Sequence, residues 1–303
     1  MAADQGSSSK AILYAFLANL GIAVTKSGAA FYTNSGSMLA EAIHSYADCA
    51  NQALLFLGLR QADNPPTREH PLGFGKVTYF WSFVVALLLF TMGGLFSIYE
   101  GWHKLQEPDE LNKVWIALSV LGVAVLLEFA SLMGCLQEIA KVRRGRSFRD
   151  WLKHTRNAEL VVILGEDIAA LAGLVIAFTF LSLAATTGDT RFDAAGSIAI
   201  GIVLIVVAIF IAVRVRTLLI GKSAEPALER QIVELINRDP DIDELLNTIT
   251  LQFGPKVLLA AKVRMSAGLS IEQAVDHINA LERAIKECCP EVGWCFIEPD
   301  VTD

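Results

Sequence analysis

Apolar residues run through this chain in long unbroken stretches, not in the one-sided stripes of a soluble domain. Thr78–Tyr99 and Ala194–Val213 contain no charged residue, and each exceeds the roughly 18 apolar positions that mark a membrane-crossing helix. Four further windows, Ala11–Thr33, Met38–Leu59, Val114–Gln137 and Glu159–Ala185, are long enough but carry isolated polar residues. A soluble bundle would show a polar face about every 3.6 residues, and these windows do not. The pattern predicts a polytopic α-helical membrane protein with six transmembrane helices.

After Gly221 the pattern becomes that of a small soluble domain. Glu225–Arg238 has an amphipathic spacing that Asp239–Pro240 stops. Thr248–Phe253 alternates as a half-buried strand, Gly254–Pro255 makes a turn, and Val257–Met265 supplies a second strand. Ser270–Lys286 places Ile271, Ala274, Ile278, Leu281 and Ile285 at helical spacing, and Gly293–Ile297 is a third strand. The order α-β-β-α-β suits a sheet with both helices on one face. The expected organisation is a tail over 1–10, a six-helix membrane domain over 11–221 and a cytoplasmic α+β domain over 222–303.

Composition agrees with this division. The 303 residues are 53% hydrophobic and 19% charged, with a mean hydropathy of +0.47. Residues 222–303 hold 8 Lys/Arg and 15 Asp/Glu, which is the whole net charge of −7; the rest of the chain is neutral. That acidity argues against a nucleic-acid partner. Five scattered cysteines define no disulfide framework. Glu138–Arg156 gathers seven cations, Lys141, Arg143, Arg144, Arg146, Arg149, Lys153 and Arg156. Cytoplasmic loops collect Lys and Arg, so this loop, and with six spans both termini, are expected in the cytoplasm. Met1–Lys10 lacks the order of a signal peptide and the Arg-rich character of a transit peptide. The expected location is therefore a bacterial inner (cytoplasmic) membrane.

Ionisable side chains inside spans cost roughly 2.5–3.5 kcal/mol each on insertion scales, so each calls for a reason. They are Lys26, then Glu41, His44 and Asp48, then Glu128, then Glu166 and Asp167. His44 and Asp48, four apart, stack on one helix face, with Glu41, Asn51 and Gln52 on the same side. An imidazole nitrogen and a carboxylate so placed can share one divalent cation, and they can equally form a packing pair. Asp167 at a similar depth supplies a second half. Glu166 lies about 100° round the helix from Asp167, so the two do not both point squarely at one centre. Glu166 either pairs with Lys26 or acts as ligand or proton carrier, and Glu128 reads as a packing or proton-handling group.

Two motifs carry a resemblance. Ser35-Gly-Ser-Met-Leu-Ala-Glu-Ala-Ile-His44-Ser-Tyr-Ala-Asp48 and His70-Pro-Leu-Gly-Phe-Gly-Lys76, with Asp167 and the Phe192-Asp193-Ala-Ala-Gly-Ser run, resemble the cation diffusion facilitator family over about 11–300. The Glu166-Asp167 pair is similar to its zinc-transporter-nine-like branch. The resemblance implies a dimeric divalent-metal/proton antiporter with a metallochaperone-like C-terminal domain. It implies a metal site at His44, Asp48 and Asp167. The remaining ligand position falls on Ile163, which cannot bind metal, leaving water, Glu166 or Glu41 to complete a tetrahedron. Lys26, Glu41 and Asn51 are candidates for proton handling or support of the ligands. Phe74 stands where the family often has His, and Asp63 and His70 are weak accessory metal candidates. Cys288, Cys289 and Cys295 form either a thiolate site or part of a packed core.

The expected function is export of cytosolic Zn²⁺ against protons by a homodimer, with Zn²⁺ as transported substrate and no further cofactor. A Mn²⁺, Fe²⁺ or Co²⁺ carrier and a non-transporting membrane metal sensor are the alternatives. No H-E-x-x-H, G-x-S-x-G or P-loop motif supports an enzyme.

Overall fold

The computed structural model describes residues 19–107, 111, 113–143 and 145–302. The expected tail and the start of the first span lie outside the described residues. Helix α1 is described over 19–33 and ends at Asn34, whose φ of 53° turns the chain. There follow α2 (Gly36–Ala62) and α3 (Val77–Gln106), the latter with a π-helical stretch at Leu89–Leu95. Then come α4 (Val114–Val142), α5 (Phe148–His154), α6 (Ala158–Thr187) and α7 (Arg191–Ile220).

Four of these, α3, α4, α6 and α7, are long and apolar enough to cross a membrane, at 29 or 30 residues each. At about 1.5 Å per residue they exceed a hydrocarbon core of about 30 Å. Helix α2 falls outside that set because Glu41, His44, Asp48, Asn51 and Gln52 interrupt it, and α1 is described over 15 residues only. On α4 and α7 the large exposed side chains, Val123, Leu126, Phe129, Ile202 and Val206, are those a lipid-facing surface needs.

The described chain divides into two compact units. One gathers residues up to Leu59, Phe80–Gly145 and Glu159–Val215; the other gathers Arg60–Tyr79, Arg146–Ala158 and the chain from Arg216 onward. Within the first, glycines bring α3 and α7 into backbone contact. A Cβ on Gly101 would stand 2.6 Å from the Ala194 carbonyl oxygen, and one on Gly201 2.6 Å from that of Gly94. Small residues drive helix association in membranes in this way, by letting backbones approach. The π stretch contains Gly93 and Gly94, so the irregular turn coincides with the contact.

The second unit contains α8 (Pro226–Asn237), β1 (Ile242–Phe253), β2 (Lys256–Met265), α9 (Ile271–Cys288) and β3 (Val292–Pro299). The sheet order is β1-β2-β3. β1 and β2 pair antiparallel, with Phe253 opposite Lys256; β2 and β3 pair parallel, with Leu259 opposite Cys295. A parallel pair needs a crossover, and α9, opened by a capping box on Ser270, supplies it. Alternate β2 residues Val257, Leu259, Ala261 and Val263 are buried. Three of them pack with Ile232, Ile236, Leu281 and Ile285 in one core, so both helices lie on one face of the sheet.

Cys289 and Cys295 belong to that core and Cys288 is exposed. Burial pushes the Cys289 and Cys295 thiols up to about 11, away from the thiolate that metal binding needs. His277 pairs with Asp241 at 2.8 Å.

Where the sequence suggests a cationic loop, the structure has helix α5. Ser147 caps it by accepting from the Asp150 N–H at 3.2 Å. Cations of that run are committed to the fold: Arg156 donates to the Ser223 and Ala224 carbonyls, and Arg146 pairs with Glu225 at 2.9 Å.

Candidate functional site

Helix α2 is placed at its N-terminus by a carboxylate from another helix. Asp193, in the first turn of α7, accepts from Ser35 Oγ at 2.7 Å, from the Gly36 N–H at 2.6 Å and from Ser37 Oγ. A carboxylate there complements the positive end of the helix dipole. Asp193 appears in the sequence only as part of a motif; its role depends on a contact 157 positions away.

One turn further along, Lys26 and Glu41 are both buried. Lys26 Nζ lies 3.1 Å from Glu41 Oε2 and 2.8 Å from Ser45 Oγ. The Lys26–Glu166 pair that the sequence allows is therefore not the one formed. Glu41 and Ser45 sit four apart on α2, so both reach the ammonium. Glu166 instead accepts from Asn51 Nδ2 at 2.6 Å. Gly173 of α6 makes room for Glu41, since a Cβ there would collide with Oε1.

His44 and Asp48 face each other with Nδ1 and Oδ1 3.6 Å apart. Both ring nitrogens of His44, Asp48 Oδ1 and Asp167 Oδ2 are buried without a hydrogen-bond partner. The other Asp167 oxygen accepts from Ser131 Oγ at 3.2 Å. Unpaired buried polar atoms of this kind are costly.

Asp48, Ser131 and Asp167 border a cavity of about 360 Å³. Asp48 and Gln52 of α2, Glu128 and Ser131 of α4, and Ile163, Glu166 and Asp167 of α6 line it, with Asn19 and Ile22 of α1. Glu166 and Asp167 both reach it despite their angular separation, because the space is wider than one ion. Ile163 contributes apolar wall. Glu41 and His44 are not part of the lining. Among the described residues no three His, Cys, Asp or Glu side chains are close enough together to hold one ion. The arrangement is an open acidic chamber whose carboxylates stand apart.

The accessory candidates lie elsewhere. Asp63 and His70 are exposed. His70 stacks on Phe74 with ring centroids 4.6 Å apart, and its carbonyl accepts from the Gly73 N–H at 2.9 Å, closing the turn before α3.

Comparison with known proteins covers most of the chain. Residues 12–220 match the model of the cation efflux transmembrane domain. A proton-coupled zinc antiporter, SLC30A9, mitochondrial, of Xenopus laevis is 33% identical over 83% of this chain and 44% of its own length. Metal tolerance protein C4 of Arabidopsis thaliana is 32% identical over 82% of this chain and 55% of its own length. This chain thus spans about half the length of these two relatives. A variant of the MamM C-terminal domain in a cadmium form matches with TM-score 0.24 and 15% identity, over 26% of this chain and 98% of that one. The protein is a multi-pass membrane protein with a small C-terminal α/β domain. With its membrane domain matched over this length, the chain belongs to the cation efflux, or cation diffusion facilitator, family of transporters, which is not a family of enzymes.

Proposed function

We propose that the chain is a proton-coupled divalent-cation antiporter that exports Zn²⁺ from the cytoplasm. The observation that carries this reading is the acidic cavity lined by Asp48, Glu166 and Asp167, beside which buried polar atoms of His44, Asp48 and Asp167 have no hydrogen-bond partner. The proposed ligands are His44, Asp48 and Asp167, with Glu166 turning from Asn51 to complete the shell. Asn51 and the Lys26–Glu41 pair support the ligand-bearing face of α2.

Carboxylates and imidazole must be unprotonated to take a metal ion, so binding releases protons. On the side of lower pH, protons compete for the same atoms and the ion leaves. The carboxylates stand apart in the open chamber, and closure of α2, α4 and α6 around the ion draws them together. Rocking of helix groups is a common route to alternating access. Six spans, cytoplasmic termini in an inner membrane, a homodimer and the 11–221/222–303 division complete the proposal. The name borne by the Xenopus relative, a proton-coupled zinc antiporter, favours the zinc and proton part of it.

A second reading, a Mn²⁺, Fe²⁺ or Co²⁺ carrier, is favoured by the lining itself, which offers carboxylate oxygens and does not include His44. Oxygen-rich sites suit harder cations. Proteoliposome flux with each metal under an imposed pH gradient separates the two. Zn²⁺ binding without flux would instead identify a non-transporting subunit.

A further inference from the structure

Helix α4 carries one charge between Lys113 and Glu138, and that charge faces inward. Its buried residues are Ala117, Leu121, Ala124, Cys135 and Ile139, a stripe at helical spacing. Glu128 falls four residues after Ala124 and seven before Cys135, in the gap of that stripe. Its neighbours Leu126 and Phe129 are exposed on the lipid-facing side. A carboxylate in hydrocarbon is expensive, and Glu128 escapes that cost by lining the cavity with Asp48, Glu166 and Asp167. One turn on, Ser131 reaches the same chamber and donates to Asp167 Oδ1. The other Asp167 oxygen is unpartnered on a side chain 9% exposed. The chamber therefore presents oxygens from three helices, and α4 is not among the two that the resemblance assigns to the site.

We propose that Glu128 contacts the transported divalent cation directly, as the donor from α4 that takes the place left by Ile163. This deepens the transport reading and rests on it. The ligand set becomes oxygen-rich, with His44 as its one nitrogen. Such a set admits Mn²⁺ and Zn²⁺ alike, so Glu128 also sets how strongly the site prefers one over the other. Glutamate has the reach for this role across a chamber of about 360 Å³.

The test uses the full chain in two formats, Zn²⁺ and Mn²⁺ flux in proteoliposomes and direct binding of each metal to detergent-purified protein. Glu128→Gln keeps size and removes charge; Glu128→Asp keeps charge and shortens reach. Removal of an outer support alone costs about 10–100-fold in metal affinity. Glu128→Gln is accordingly expected to raise KM and Kd at least about tenfold, with the saturated rate within about twofold of wild type. Glu128→Asp is expected to recover most of the affinity, and a packing role would not produce that split or that rescue. KM and Kd within about twofold of wild type in Glu128→Gln would overturn the proposal, as would equal losses in both variants. If the wild type binds metal but carries none, the transport reading fails and the Kd comparison still decides Glu128. No metal binding by the wild type would overturn both.

Discussion

Replacing Lys26 by Met isolates the energetics of the polar stripe from metal chemistry. Lys26 and Glu41 are 1% and 0% exposed, and their charged atoms are 3.1 Å apart. At an effective dielectric of about 20 the direct attraction over that distance is about 5 kcal/mol. Desolvation of both ions offsets much of it, so the intact pair adds little net stability. Breaking it is another matter. Lys26→Met leaves Glu41 buried and uncompensated and removes the donor to Ser45 Oγ, for an expected loss of about 3–5 kcal/mol. The double variant Lys26→Met/Glu41→Gln removes both charges and is expected to recover most of that loss. Thermal unfolding of the purified protein in detergent, run as a double-mutant cycle, reads the coupling. A coupling below about 1 kcal/mol, or a Lys26→Met protein as stable as wild type, would refute the argument that Lys26 compensates the buried Glu41 charge.

Three further outcomes follow from the geometry. Asp193→Ala strips the N-terminus of α2 of its carboxylate and is expected to cost about 2–3 kcal/mol, read as a lower unfolding temperature. Gly101→Val places a side chain against the Ala194 carbonyl and Ile198. It should reduce the yield of folded protein on size exclusion, whereas Gly122→Val, with open space around it, should not. In the C-terminal unit, Cys288 should react with a maleimide at pH 7.5 while Cys289 and Cys295 stay protected, as mass spectrometry of the labelled peptides would show. Because burial raises those two thiols to about 11 from an ordinary value near 8.5, their contribution to stability is complete below about pH 8.5. It is lost as pH climbs through about 11.

The sequence exposes features that repeat along one element and hides those that depend on a partner. The polar face of α2 is legible because His44, Asp48, Asn51 and Gln52 follow helical spacing. The C-terminal order is legible because alternation in Thr248–Phe253 and spacing in Ser270–Lys286 are local; the strands extend further, to Ile242 and Pro299, because pairing continues past the alternation. The partner of Lys26 is not legible, since Glu41, Glu166 and Asp167 are equally acidic in a string of letters and only helix packing separates them. The same holds for Asp193. Helix α5 was readable: Ser147 followed three positions later by Asp150 is a cap signature, outweighed by the cationic run. The inward side of Glu128 could also have been found, from the spacing of Ala117, Leu121, Ala124 and Cys135.

The most direct test of the central claim is Zn²⁺ uptake into proteoliposomes with an acidic interior, measured for wild type, Asp48→Asn and Asp167→Asn. The cavity account predicts uptake that follows the pH gradient in wild type, collapses when a protonophore dissipates the gradient, and falls at least about 100-fold in either variant. Full uptake in both variants, or uptake indifferent to the gradient, would contradict it.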